Sequence, residues 1–438
     1  MVHHPPLRLD SARIAAAVRK AEADLAGNAR PPLPAPAGFL WGAATSGHQT
    51  EGNNVNSDSW LNENVQPTLF REPSGDACDS YHRYPEDIAL AAALGFNCYR
   101  VGLEWSRIES EQGSYSAAAL THYGRMLETC HEHGLAPIVT LSHFTVPRWF
   151  AMRGGFEVDD GADLFARYAE RVAGRLGRLI AAATPFNEAN IPRLLAMMPG
   201  AAQRRPAAEA MIAAAAKASA APGYSSLLFA DTGRTEPVML DAHAKAYAAL
   251  KAGPGSYPVG VSLSLQHIEA TQGGEKLAAN LRAQLCGPWL DMARESDFIG
   301  VQTYTRVRVG PGGMLPPPPD AEMTDAGYEF CPEALAGTIR FAARETGKPV
   351  YVTENGIATH DDSRRAAFIE RALAAVADCI GDGIDVRGYI HWSLLDNFEW
   401  TRGYAEKFGL VAIDPVDFAR RVKPSAAILG AHARLGVI

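Results

Sequence analysis

Glu188 and Glu354 each stand where a short apolar run stops. The first closes Ile180-Ala-Ala-Ala-Thr-Pro-Phe-Asn-Glu188, and the second closes Pro349-Val-Tyr-Val-Thr-Glu354, with Asn355-Gly356 following. The carboxyl end of a buried strand is where a β/α barrel carries its catalytic groups. Two carboxyls flanking a sugar can break a glycosidic bond, one protonating the leaving oxygen while the other attacks or activates water. The remaining run ends are also polar: Gln49 and Glu51, Arg100 and Glu104, His143, Asn187, Gln302 and Tyr304. The last run leads into Trp392, Asp396, Asn397, Glu399 and Trp400. Amides and carboxylates match vicinal hydroxyls, and an indole face covers the apolar face of a sugar ring. No phosphate cradle, Gly-x-Ser-x-Gly elbow or His-Glu-x-x-His zinc motif competes with that reading.

These groups need a frame that brings distant run ends to one place. Eight β-like runs are predicted at 39–46, 97–104, 136–142, 180–187, 257–264, 298–304, 350–353 and 386–394. Helical segments separate most of them, such as 84–95, which ends in glycine, and 364–380, with apolar residues at helical spacing. Near-continuous apolar strands alternating with helices predict an α/β fold, a (β/α)8 TIM barrel. A doubly wound sheet would carry Gly-x-Gly-x-x-Gly after its first strand, and the chain has none there. Insertions are expected after strands 4 and 6, at 199–236, with an Ala-rich helix, and at 310–325, with four consecutive prolines. Residues 1–37 read as an N-terminal extension, a short charged helix at 11–25 and a Pro-rich linker, and 38–438 as the barrel domain.

Composition narrows the partners. The 438 residues are 47% hydrophobic and 21% charged, enough for a sizeable core. A net charge of −8 gives no case for nucleic acid or an anionic membrane. Met1-Val-His-His-Pro-Pro-Leu-Arg lacks the apolar core of a signal peptide, and no run is long enough to span a bilayer. Cys78, Cys98, Cys130, Cys286, Cys331 and Cys379 are scattered without a Cys-x-x-Cys pair, which predicts free thiols in a reducing cytoplasm. No metal and no cofactor are expected. Oligomeric state is not legible. Arg107 and Glu104 are expected in a structural ion pair or network, and Trp41 and Trp105 in packing.

Seven segments, in order, resemble the family 1 glycoside hydrolases. They are Phe39-Leu-Trp-Gly-Ala-Ala-Thr-Ser-Gly-His-Gln-Thr-Glu-Gly52, Tyr99-Arg-Val-Gly-Leu-Glu-Trp-Ser-Arg107, Val139-Thr-Leu-Ser-His143, Phe186-Asn-Glu188, Asp297-Phe-Ile-Gly300, Thr353-Glu-Asn-Gly356 and His391-Trp-Ser-Leu-Leu-Asp-Asn-Phe-Glu-Trp400. The resemblance implies a retaining β-glycosidase, with Glu354 as nucleophile and Glu188 as acid/base. Arg100 and Tyr304 would support the nucleophile. Gln49, His143, Asn187, Gln302 and Glu399 would contact the sugar or its surroundings, and Trp392, Trp400 and Phe408 would wall it. The implied substrate is a terminal β-linked sugar, glucose before others, carried as a small-molecule β-glycoside. Two alternatives share these residues: a transglycosidase using the same glycosyl-enzyme, and a non-catalytic carbohydrate-binding protein.

Departures from the family pattern gather near Glu188. Phe144 follows His143 where tryptophan is usual, Ala189 follows Glu188 in place of proline, Pro185 fills a slot often held by threonine, and Gln302-Thr303-Tyr304 replaces Asn-Tyr-Tyr. The insertion with Leu194, Leu195, Met197 and Met198 is expected to build an apolar vestibule for the leaving group. Glu399 keeps an acidic group that family members acting on 6-phosphosugars generally replace, so a neutral sugar is expected.

Overall fold

Eight parallel strands form the central sheet of the computed structural model, which describes residues 11–26, 33–198 and 200–438. They are β1 (Leu40–Ala44), β2 (Cys98–Gly102), β3 (Ala136–Ser142), β4 (Ala182–Phe186), β5 (Gly260–Ser264), β6 (Phe298–Gln302), β7 (Val350–Asn355) and β8 (Val386–Trp392). The order is β4-β3-β2-β1-β8-β7-β6-β5, and a parallel bridge between Ala183 and Val259 joins the two ends. The strands therefore close into the predicted (β/α)8 barrel. Every residue of β2, β4, β5, β6 and β7 is buried, as expected for strands covered on both faces.

The helices outside the strands begin and end on ordinary local signals. Ser116 Oγ accepts from Ala119 N at 3.1 Å at the start of the helix Ala117–Glu132. The helix Ser80–Leu94 stops at Gly95, whose φ of +100° suits glycine. The run at 364–380 lies inside the helix Asp362–Gly381, whose Phe368, Ile369, Leu373 and Val376 are buried against the barrel core. Close approach also fixes Gly356: a Cβ there would lie 2.0 Å from the Trp392 carbonyl oxygen, so β7 could not leave beside β8 with a larger residue.

The N-terminal helix Ser11–Ala26 packs against the helices Pro424–Leu435 and Ser80–Leu94. Ile14 and Val18 are buried in the same apolar cluster as the barrel helices. Leu33 N donates to Ile438 O at 2.9 Å and Ile438 N donates back to Leu33 O at 2.7 Å, so the later part of the Pro-rich segment pairs with the last residues. Residues 1–8, Pro31 and Pro32, to which the leader and linker expectations also refer, lie outside the described residues.

The first expected insertion holds the helix Ala201–Ala218, with the helix Ile191–Met197 just before it. The second is more regular than its prolines suggest: Arg306–Gly310 pairs with Gly313–Leu315 and with His267–Ala270 in a three-stranded side sheet. Short strands that pair with a segment tens of residues away leave little periodic signal in the sequence. Among the described residues, no helix is long and apolar enough to cross a membrane.

Candidate active site

The strand ends converge on Glu354, in the last turn of β7. Arg100, from β2, brings Nη1 to 2.6 Å from Glu354 Oε1, and the Tyr304 hydroxyl donates to Oε2 at 2.7 Å. Each carboxylate oxygen thus has its own donor. Arg100 Nη2 reaches Asn187 Oδ1 at 2.5 Å, and Gln302 Nε2 donates to the same oxygen at 2.8 Å. With its oxygen so occupied, Asn187 must present Nδ2 to His143 Nε2, 3.0 Å away. Nε2 is then the acceptor, the His143 proton sits on Nδ1, and Nδ1 has no protein partner. Burial, and next the Arg100 charge, hold His143 well below the ordinary imidazole range, so the ring is neutral.

Glu188 sits one residue beyond Asn187, with φ of +40°, in the left-handed region that side chains disfavour. Flanking hydrogen bonds hold it there: Asn187 N to Ser142 O at 2.9 Å and Ala189 N to Ser262 O at 3.0 Å. Phe144 and Trp400 also have positive φ, at +72° and +52°. Backbone strain of about 1–3 kcal/mol per residue persists where surrounding structure over-determines it, commonly at functional sites.

The two carboxyls are electrically unlike. Burial, and then the neighbouring Glu354 charge, push Glu188 up to about 8, with a Ser264 hydrogen bond and Arg100 opposing the rise only in part. Burial raises Glu354 too, but the Arg100 charge and the Tyr304 and Arg100 hydrogen bonds work against it. Among the described residues Glu188 has no ion-pair partner, so of the pair it holds the proton and Glu354 the charge. The Tyr304 hydroxyl is itself raised well above its ordinary range, mainly by burial, and stays a donor.

A second group of side chains lies under β8 and the turn after it. Trp392 Nε1 donates to Glu399 Oε1 at 3.3 Å. Gln49 gives its amide protons to Asn397 Oδ1 (3.2 Å) and Phe398 O (2.7 Å) and accepts from Ser46 Oγ (2.7 Å), which leaves one lone pair on its oxygen. The His143 ring stacks with Trp392 at 5.4 Å and lies near-parallel to Trp400 at 6.4 Å. Phe144 meets Trp400 edge-on at 5.4 Å, and Phe408 meets Tyr304 edge-on at 5.8 Å. All twelve residues implied by the resemblance therefore lie at the carboxyl ends of the strands or in the loops leaving them, nine of them buried and Tyr304, Glu399 and Trp400 half-buried. Gln302, one methylene longer than the usual asparagine, spends its amide on Asn187, the neighbour of Glu188.

Other expectations change. Arg107 pairs with Glu51 at 2.7 Å rather than with Glu104. Glu104 instead accepts from His48 N, Asn54 Nδ2, Ser106 Oγ and Thr145 Oγ1, so the network exists with different partners. Trp41 and Trp105 are buried core, as expected. Leu194 and Met197 pack against the buried cluster of Ile268, Ala278, Leu285 and Val309, so these two belong to packing and not to an open vestibule.

Four participants escaped the sequence reading. Ser264, at the end of β5, lies close enough to Glu188 to lower its pKa. Burial, and then the charges of Glu406, Glu399 and Glu188, raise the Tyr328 hydroxyl. Glu406 raises Glu399, which burial already lifts well above its ordinary range. His48 stacks on Trp400 with ring planes 8° apart at 5.5 Å and shares a buried contact of 2.5 Å with Glu63. His48 carries a signal, standing beside Gln49 in the first of the seven segments, and Glu406 follows Glu399 by seven residues.

The family model described as "Glycosyl hydrolase family 1" matches residues 33–292 and 303–432. The chain is 32% identical to thermostable beta-glucosidase B of Thermobispora bispora, covering 93% of this chain and 91% of that one. It is 28% identical to beta-glucosidase A of Acetivibrio thermocellus, over 89% and 96% of the two chains. Among solved structures, the apo beta-glucosidase 1317 superposes with a TM-score of 0.87 at 50% identity, over 92% of this chain and 99% of that one. The beta-glucosidase of Thermotoga maritima in complex with glucoimidazole gives a TM-score of 0.79 at 26% identity, over 92% and 100%. A TIM barrel with polar strand ends, matched to this family over most of its length, is a member of glycosyl hydrolase family 1, a retaining O-glycosyl hydrolase of the β-glucosidase kind.

Proposed function

We propose that this enzyme removes a terminal β-D-glucosyl residue by double displacement, with Glu354 as nucleophile and Glu188 as acid/base. The observation that carries the assignment is the asymmetry of the two carboxyls: Glu354 has a donor on each oxygen, and Glu188 is pushed up to about 8. In the first step a Glu354 oxygen bonds to the anomeric carbon as the bond to the leaving oxygen breaks, and the Glu188 proton passes to that oxygen. In the second, Glu188, now a carboxylate, takes a proton from water; the water oxygen bonds to the anomeric carbon and the ester to Glu354 breaks. Two inversions return the β configuration. Acid–base assistance of this kind contributes about 10²–10⁴-fold.

Positioning follows from the bonds left open. The second Asn187 Nδ2 proton suits the sugar 2-hydroxyl, whose hydrogen bonds strengthen in the transition state. His143 Nδ1–H, the free Gln49 lone pair and the second oxygen of Glu399 suit the remaining hydroxyls, with Trp392, Trp400 and Phe408 against the ring. Glu399 with Glu406 beside it opposes a phosphate at that end, which favours a neutral sugar. All six cysteines are unpaired, in keeping with a reducing cytoplasm.

The assignment is tested with Glu188→Ala. On a dinitrophenyl β-glucoside, whose leaving group needs no proton, formation of the ester is expected to persist while its hydrolysis slows. Added azide should then speed turnover and yield β-glucosyl azide. An α-azide, or no azide effect with wild-type hydrolysis, would remove Glu188 from the role.

A further inference from the structure

Outside the barrel wall, a cavity of about 420 Å³ lies between the segment leaving β5 and the helices Glu275–Cys286 and Ala334–Thr346. Its polar lining is basic: Arg282, Arg340, Arg344 and His267 stand against one carboxylate, Glu333. That carboxylate is already held on both oxygens by Arg371, at 2.5 and 2.8 Å. Arg340 pairs with Asp382 at 2.7 Å and Arg344 with Glu345 at 2.8 Å.

Arg282 differs from its neighbours. No carboxylate among the described residues forms an ion pair with it, and its one hydrogen bond goes to the Ile268 carbonyl. Burial and then the nearby Arg344 charge disfavour its cation and lower its pKa, with the Glu345 charge opposing them only in part. The His267 ring is pressed onto the helix at Gly337, where a Cβ would fall 2.0 Å from Nδ1, so this wall is built around glycine. Gln266, also on the lining, keeps a buried Oε1 with no donor. A partly buried guanidinium without a direct ion-pair partner, next to a second guanidinium, is unfavourable until an anion joins them. Planar forks of this kind match phosphate oxygens two at a time, and an unpaired amide oxygen is an acceptor for a hydroxyl.

The cavity is tied to the catalytic side by backbone. Asn190 Nδ2 donates to the Leu285 carbonyl (3.1 Å), on the cavity lining, and to the Ser264 carbonyl (2.9 Å). Asn190 Oδ1 accepts from Ser264 N at 2.9 Å. Ser264 lies close enough to Glu188 to lower its pKa, and Leu265, on the lining, donates its N–H to Gln302 O at 2.8 Å.

We propose that this cavity is an effector site for a small phosphorylated polyhydroxy compound, held by Arg282 and Arg344 and coupled through Leu285, Asn190 and Ser264 to the Glu188 loop. The coupling rests on the catalytic role given to Glu188; the binding does not. Inorganic phosphate and glycerol phosphate serve as probes, titrated calorimetrically into the full chain. Glycerol phosphate is expected to bind at one site per chain, more tightly than phosphate. Arg282→Ala and Arg344→Ala should each weaken it at least tenfold; Arg344 is 67% exposed, so its loss leaves the fold intact. Arg205→Ala, on an exposed ion pair elsewhere, should bind as the parent does. Equal affinity in all four proteins, or no binding, overturns the site. Glycerol phosphate should also change kcat/KM for an aryl β-glucoside in the parent and not in Arg344→Ala. Binding with an unchanged kcat/KM overturns the coupling alone, and the calorimetric arm is unaffected if Glu188 proves not to be the acid/base.

Discussion

Tyr304 and Arg100 divide the Glu354 carboxylate between them, one donor on each oxygen. Tyr304→Phe removes a hydrogen bond to a charged group, an interaction of about 1.5–3 kcal/mol, so kcat/KM is expected to fall about 10- to 100-fold. The sign of the pH effect follows as well. The Tyr304 hydrogen bond lowers Glu354. Without it the carboxyl rises further, and because the nucleophile must be ionised, the acidic limb of the kcat/KM profile should move to higher pH. The basic limb, set by loss of the Glu188 proton as pH rises through about 8, should stay where it is. An acidic limb that moved down, or a basic limb that moved instead, would contradict the division of labour. At this scale much was legible, because Glu188, Glu354, Arg100 and Tyr304 combine ionisable or phenolic chemistry with the ends of apolar runs. Ser264 and Tyr328 were not, since a lone serine ending a strand or a tyrosine in a long loop has no distinguishing pattern. Arg107 and Glu104 do share a network, through Glu51 and Tyr123, but the direct ion pair goes to Glu51, because a carboxylate from another strand end competes with the sequence neighbour and spacing does not rank them.

Elements that carry no chemistry still bear on it. Val18, on the helix Ser11–Ala26, is fully buried and faces Gly430, where a Cβ would lie 3.3 Å from its Cγ2. Val18→Ala deletes two methyl-sized groups from that contact, about 1.6 kcal/mol of burial before any cavity cost. A melting temperature lower by about 2 °C with unchanged kcat is expected; a changed kcat would link this distant helix to the site. The helix Ala201–Ala218 behaves differently. It is anchored by Met211 and Ala215, and Met211 Sδ accepts from Thr68 Oγ1 at 3.6 Å and Leu69 N at 3.4 Å, in the loop leaving β1. Deleting 201–221 should free that loop and raise KM for bulky apolar β-glucosides more than for cellobiose. Equal effects on both would make the insertion a packing element only. Its helical nature could be read from alanine content, whereas the packing of Leu194 and Met197 could not, because their apolar partners come from the helix Glu275–Cys286 and from two strands of the side sheet, all far away in sequence.

Across the whole molecule, closure of the barrel turns eight strand ends into one site. The closing bridge between Ala183 and Val259 is what sets β4, with Asn187 and Glu188 beyond it, against β5 with Ser264. Strand order and location were legible because each run is apolar, short and separated from the next by helix. Curvature and register, which decide that Arg100 meets both Glu354 and Asn187, arise only from the closed sheet. The central claim is that this closure gives Glu354 the charge and Glu188 the proton. Inactivation with 2-deoxy-2-fluoro-β-glucosyl fluoride tests it most directly, since the fluorine slows both steps and the good leaving group lets the ester accumulate. Peptide mass spectrometry should find one fluoroglucosyl adduct per chain, on Glu354. An adduct on Glu188 or another residue, or full hydrolysis with no adduct, would contradict the account.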